Sequence, residues 1–173
     1  MFWVMKNRLC TLFALFFFLL YFCGKNSVAQ SKEIPTLSFS GEWPDPFALN
    51  LAELKAMPQT EVKGRDRDGE MHSFQGVLLR DLLKRAKMEF GTGLKGKSQA
   101  QYLLAEAADG YKVIFSLPEI DPEFSGKEIL VAHSRDGIPL EDGVGPFRFV
   151  VPEEKLHARW IRDVVSVKLI KLD

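Results

Sequence analysis

Apolar and polar residues alternate through Leu37-Ser38-Phe39-Ser40 and again from Val165 to Leu169, the period-two pattern of half-buried strands. Between them the pattern changes repeatedly. Trp43-Pro44-Asp45-Pro46 is a turn, because each proline fixes its own φ and restricts the residue before it. Asn50 is placed to cap a short helix over residues 51–57, which Pro58 stops. Residues 59–63 and 71–74 read as strands around Arg65-Asp66-Arg67-Asp68-Gly69, with Asp-Gly as the hairpin turn. Gln75-Gly76 then opens a helix. Leu78, Leu79, Leu82, Leu83 and Ala86 form its apolar face, and Arg80, Asp81, Lys84, Arg85 and Lys87 its polar face. Such a helix lies on a sheet. The second half is strand-rich: residues 102–107 and 112–117 flank Asp109-Gly110, residues 128–133 lead to a turn at Asp136-Gly137, and residues 147–151 end at Pro152. Two short helices in a largely β chain predict a single compact α+β domain, β-rich and mixed.

The first 29 residues depart from this pattern. Lys6 and Arg8 precede an apolar run over residues 9–23, and Ser27-Val28-Ala29 supplies small residues of the kind a signal peptidase cuts after. The run is short for a spanning helix, which needs ~20 residues. The division expected is a secretory signal peptide over 1–29 and one domain over 30–173, with a retained N-terminal anchor as the alternative. The product would be exported, periplasmic or secreted. The formal net charge is zero, but all 23 acids follow residue 29 while Lys6, Arg8 and Lys25 precede it. The remaining part is therefore slightly acidic, which argues against a nucleic-acid partner. It also leaves no membrane role once the leader is removed. The only cysteines are Cys10 and Cys23, so residues 30–173 offer no disulfide, thiolate nucleophile or thiolate metal ligand.

Most motif-like features have plain structural readings. Gly91-Thr92-Gly93-Leu94-Lys95-Gly96-Lys97-Ser98 matches the letters of a phosphate-binding loop, which needs a strand before it and a helix after it. Here a helix precedes and a strand follows, so a solvated basic loop is expected. His72, His133 and His157 lie far apart and form no metal-ligand spacing. His133, on an apolar strand, is expected in the core or at its edge. The pairs Asp66/Asp68 and Glu141/Asp142 are expected to be solvated turn acids.

One constellation carries more. Gly145-Pro146-Phe147-Arg148-Phe149-Val150-Val151-Pro152 is followed by His157-Ala158-Arg159-Trp160-Ile161. Arg148 and Arg159 each present a planar fork of donors, and His157 is a third donor. Convergent arginines suit a phosphate or carboxylate. Equally, the two arginines can pair with acids such as Asp109 or Glu153, with Trp160 simply in the core. The residues alone leave both readings open.

These segments resemble the end of a sulfite oxidase-type molybdopterin-binding domain. That family shows a hydrophobic strand, an N-G-x-P-L turn, a P-x-R-x-x-V-P segment and a basic stretch before Trp-Ile or Trp-Leu. Here they stand as Ile129 to Ala132, Asp136-Gly137-Ile138-Pro139-Leu140, Pro146 to Pro152 and His157 to Ile161. Phe74-Gln75-Gly76-Val77-Leu78-Leu79-Arg80-Asp81-Leu82-Leu83 and Asp109-Gly110-Tyr111 are similar to two earlier family segments. The resemblance implies the sulfite oxidase molybdopterin-binding fold, with molybdopterin as the one cofactor. It implies pterin contacts at Arg148, then His157, Ala158 and Arg159, with Asp109 a looser match. Two departures stand out. No cysteine lies near residues 59–63, where the family's molybdenum ligand falls, and Gly143 stands where the family has a histidine. The expected function is a ligand-binding or accessory module without thiolate-ligated molybdenum, taking a small anionic ligand or an envelope protein partner. The alternative is a molybdopterin-dependent oxidoreductase with non-cysteine metal ligation.

Overall fold

Turn chemistry sets the order of elements in the computed structural model, which describes residues 34–172. β1 (Thr36–Gly41) turns at the proline-rich corner into β2 (Phe47–Asn50), which runs directly into α1 (Leu51–Ala56). Asn50 and Glu53 close a reciprocal capping box: the Asn50 side chain accepts from the Glu53 N–H at 3.0 Å, and the Asn50 N–H donates to the Glu53 carboxylate at 2.8 Å. Such a cap stabilises a helix start by about 1 kcal/mol. β3 (Thr60–Arg65) and β4 (Met71–Leu78) form the expected hairpin, and β4 passes straight into α2 (Leu79–Arg85). β5 (Gln101–Ala107), β6 (Lys112–Ser116), α3 (Leu117–Ile120), β7 (Leu130–Arg135), β8 (Ile138–Pro139), β9 (Arg148–Val150) and β10 (Val164–Lys171) follow.

The strands make two sheets. The first has the order β2-β1-β10-β5-β6, with β1 parallel to β10 and the other pairs antiparallel. The second runs β3-β4-β7, and the outer edge of β7 is shared by β9 on Leu130–Ala132 and β8 on Ser134 and Arg135. The inner faces build one apolar core, with Leu37, Phe39, Leu103, Val167 and Leu169 from the first sheet and Phe74, Val131 and Phe149 from the second. Phe115 of β6 meets Phe149 of β9 at 5.9 Å between ring centres, so the sheets touch through aromatic side chains.

One boundary differs from the sequence expectation. Residues 75–78 are strand, not the opening of the helix, and the helix begins at Leu79. Val77 and Leu78 pair with Val131 and Leu130, and a register shift at Gln75/Gly76 brings the two backbones together. A Cβ on Gly76 would fall 2.1 Å from the Val131 carbonyl oxygen, which explains a glycine in mid-strand. The phosphate-loop letters of 91–98 form short 3₁₀ turns. The Gly91 N–H already donates to the buried Asp121 carboxylate at 2.6 Å, and the Ser98 hydroxyl donates to the Lys95 carbonyl at 2.7 Å. His133 is buried, as expected, with Nε2 against the Gln59 side-chain oxygen at 3.0 Å. The expected signal peptide over 1–29 lies outside the described residues.

Candidate ligand-binding site

The turn after β3 carries the acid around which the site is organised. Asp66 was expected to be solvated; it is 3% exposed. Its partner comes from β9, where Arg148, 1% exposed, points inward. The guanidinium donates through its two terminal nitrogens to the two Asp66 oxygens, at 2.9 and 2.6 Å. Arg135 of β7 adds a third donor at 3.1 Å, and the Arg67 N–H a fourth at 2.8 Å. Burial opposes the Asp66 charge, but these donors outweigh it and hold the carboxyl well below the usual carboxylate range. The Arg148 guanidinium also sits over Phe74 and Trp160, at 5.3 and 5.5 Å from their ring centres.

The basic stretch after β9 is engaged elsewhere. Arg159 donates to Glu119, at 3.1 Å to each oxygen, and to Glu154 and the Ile114 carbonyl. Lys127 joins the same two glutamates. Both arginines are therefore paired, but with Asp66, Glu119 and Glu154 rather than Asp109 or Glu153. His157 donates through Nε2 to the Arg65 carbonyl at 2.6 Å and packs edge-on against Trp160. The Ala158 carbonyl accepts from the Tyr111 hydroxyl at 2.9 Å. Trp160 is core, its indole N–H donating to the Val151 carbonyl.

Two clefts lie beside this framework. One, of about 200 Å³, is bounded by Asp66, Arg135, Arg148, Arg162 and the 136–144 loop. The other, of about 470 Å³, is bounded by Arg67, Asp109, Tyr111, Gly143, Arg162 and Asp163. Arg148 and Asp109 thus line different clefts, and His157 and Arg159 line neither. The structure does not bring Arg148, His157 and Arg159 to one pocket. The reason is that Arg159 turns to Glu119 and Glu154, while Arg65 holds His157.

Arg162 borders both clefts, and sequence reasoning passed over it. Among the described residues no carboxylate lies within ion-pair distance of it, and its Nε is buried without a partner. Burial, then Arg67 and Arg148, lower its proton affinity, with Asp66 and Glu141 opposing. A lone arginine after Trp-Ile gave no signal in the sequence, because its isolation depends on loops that meet only in the fold. A second missed cluster flanks the smaller cleft. The His72 ring faces carboxylates at both nitrogens, Asp136 at 2.6 Å and Asp68 at 2.9 Å. Asp136 also accepts from the Ser73 N–H. This joins the β3–β4 turn to the β7–β8 turn.

The family model of the oxidoreductase molybdopterin binding domain matches residues 68–172. The chain belongs to that family. Among solved structures, 29 chains match. One is the sulfane dehydrogenase SoxCD from Paracoccus pantotrophus, with 18% identity and a TM-score of 0.61, covering 78% of this chain. The match covers 38% of that protein's chain, and the likeness is one of fold. No curated protein matches.

The donor set after β3 is a carboxylate already shared by two arginines, with no thiolate in residues 34–172. Arg148 has both terminal nitrogens committed to Asp66. Among the described residues no group of three His, Cys, Asp or Glu is placed to hold a metal. Among the described residues no cysteine is present to offer molybdenum a thiolate.

Proposed function

We propose that this protein is an exported binding module on the molybdopterin-domain fold. It takes a ligand or partner segment bearing an acid group and does not hold molybdenum through a thiolate. The observation that carries this reading is the closed Asp66–Arg148 pair. Both terminal nitrogens of Arg148 turn onto the Asp66 carboxylate in a side chain that is almost completely buried, so its fork faces an acid of this chain and not a pterin.

Arg162 supports the ligand side of the reading. It is cationic and partly desolvated, and it borders two clefts with no carboxylate among the described residues within ion-pair distance. An acid group delivered there gains a charge-assisted hydrogen bond in a site that excludes part of the water. The leader over 1–29 supports export, where a small ligand or an envelope partner would be met.

The test is to express the full chain in a host that makes molybdopterin and to assay the purified protein for pterin fluorescence after denaturation. The expected result is none above background. Pterin recovered in proportion to protein, and lost in Arg148→Ala, would overturn the proposal.

A further inference from the structure

The larger cleft holds charges of both signs that do not neutralise one another. Its 470 Å³ are bounded by Arg67 and Arg162 and also by Asp109 and Asp163. Among the described residues none of the four has an ion-pair partner within 4.0 Å, although they share one cavity. Arg162 is disfavoured by burial, then by Arg67 and Arg148, while Asp66 and Glu141, which line the smaller cleft, favour its charge. The Asp163 carboxyl is pushed up by burial, then by Asp109 and Asp142.

Asp163 and Asp109 are anchored through backbone hydrogen bonds. The Asp163 N–H donates to the Val144 carbonyl, and its own carbonyl accepts from the Ala108 N–H, both at 2.9 Å. Asp163 also adopts φ +45, a left-handed conformation that aspartate and asparagine tolerate better than most residues. The Asp109 carboxylate accepts from the Tyr111 N–H at 2.9 Å, and the Tyr111 hydroxyl is tied to Ala158.

We infer that this cleft binds a zwitterion of the amino-acid or short-peptide class, its acid group on Arg162 and Arg67 and its ammonium group on Asp163 and Asp109. A simple anion would meet the arginines but face the two aspartates; a simple cation would do the reverse. Only a ligand carrying both charges relieves both repulsions at once. The volume is of the order that encloses small ligands, a few hundred Å³. This inference rests on the binding-module reading and names the class of its ligand.

The experiment titrates ¹⁵N-labelled protein with triglycine, N-acetyl-triglycine and triglycine amide, reading the amide signals of Gly143, Ile161 and Asp163. Triglycine is expected to shift these signals with Kd on the order of 1 mM or tighter. Removing either charge should weaken binding about tenfold. Arg162→Gln should erase the difference between triglycine and its amide. Asp163→Asn, which keeps the left-handed backbone, should erase the difference between triglycine and its acetyl form. Equal binding of N-acetyl-triglycine and triglycine would overturn the zwitterion while leaving an acid-binding module standing. No shift with any of the three at about 10 mM would overturn the assignment. Neither result bears on pterin content, which tests the earlier proposal separately.

Discussion

Arg148 closes both terminal nitrogens of its guanidinium on the two oxygens of Asp66, and both residues are almost completely buried. The pair links β9 to the turn after β3, and Arg135 reaches the same carboxylate from β7. It is the ionic centre of the second sheet. Asp66 has alternatives; Arg148 has none among the described residues.

That asymmetry predicts unequal costs. Asp66→Leu leaves Arg148 charged, buried and unpaired, and should destabilise by about 3–5 kcal/mol. Arg148→Met leaves Asp66 with Arg135 and the Arg67 N–H and should cost less. The double variant should cost less than the Asp66→Leu change alone, because no buried charge is stranded. Urea unfolding of the three variants checks the order.

A pH dependence follows from His72. Both of its ring nitrogens face carboxylates, and only the imidazolium donates from both. Hydrogen bonding to Asp136 is the largest cause that raises its proton affinity above the ordinary histidine value of 6.5, with burial opposing and Asp68 adding. A raised folded value gives stability that is fully present below about pH 6.5 and is lost as pH rises through the folded value. Asp68 and Asp136 are lowered from 3.8, first by the Glu70 and Ser73 N–H groups respectively, so their contribution is present above that value and lost as pH falls through the folded one. Stability from this cluster should therefore peak between these limits. Thermal unfolding against pH should show a decline on the alkaline side of the His72 transition, and His72→Gln should flatten it. An unchanged profile in that variant contradicts the account.

Gly76→Ala tests the close approach of β4 and β7. The added methyl meets backbone rather than a movable side chain, so the strands must separate. A loss of about 1–3 kcal/mol is expected, as for overpacking elsewhere, read as a lower urea midpoint.

How far the sequence reveals this fold depends on the range of the interactions. The Asn50 cap, the Asp68-Gly69 and Asp136-Gly137 turns and the alternation of β1 and β10 are local, and they form where expected. The stretch 76–78 misleads because Gly76, Val77 and Leu78 are buried on both faces of the sheet and so lack polar alternation, like the start of an apolar helix face. Pairing of Val77 and Leu78 with β7 decides the matter, and β7 lies some fifty residues further along. The site was less legible. Asp66 sits in an alternating charge run that reads as a solvated turn, and its partner is 82 residues away. Arg148 and Arg159 stand out in the sequence, but their acids, Asp66, Glu119 and Glu154, cannot be read from spacing. Arg162 draws its interest from what surrounds it in space.

Arg159 and Arg162, three residues apart, separate structural from binding roles. Arg159→Gln should weaken the Glu119–Glu154 network yet leave triglycine binding within about twofold, since its side chain lines neither cleft. Arg162→Gln should leave stability nearly unchanged and weaken binding about tenfold. Parallel calorimetric unfolding and NMR titration distinguish the two.

The function proposed for this domain is that of a binding module holding no molybdenum through a thiolate. The most direct measurement is the molybdenum-to-protein ratio, by elemental mass spectrometry, of the full chain purified from its native host. The account predicts a ratio indistinguishable from that of the host's unrelated proteins prepared alongside. A ratio approaching one metal per chain, retained through gel filtration, would contradict it.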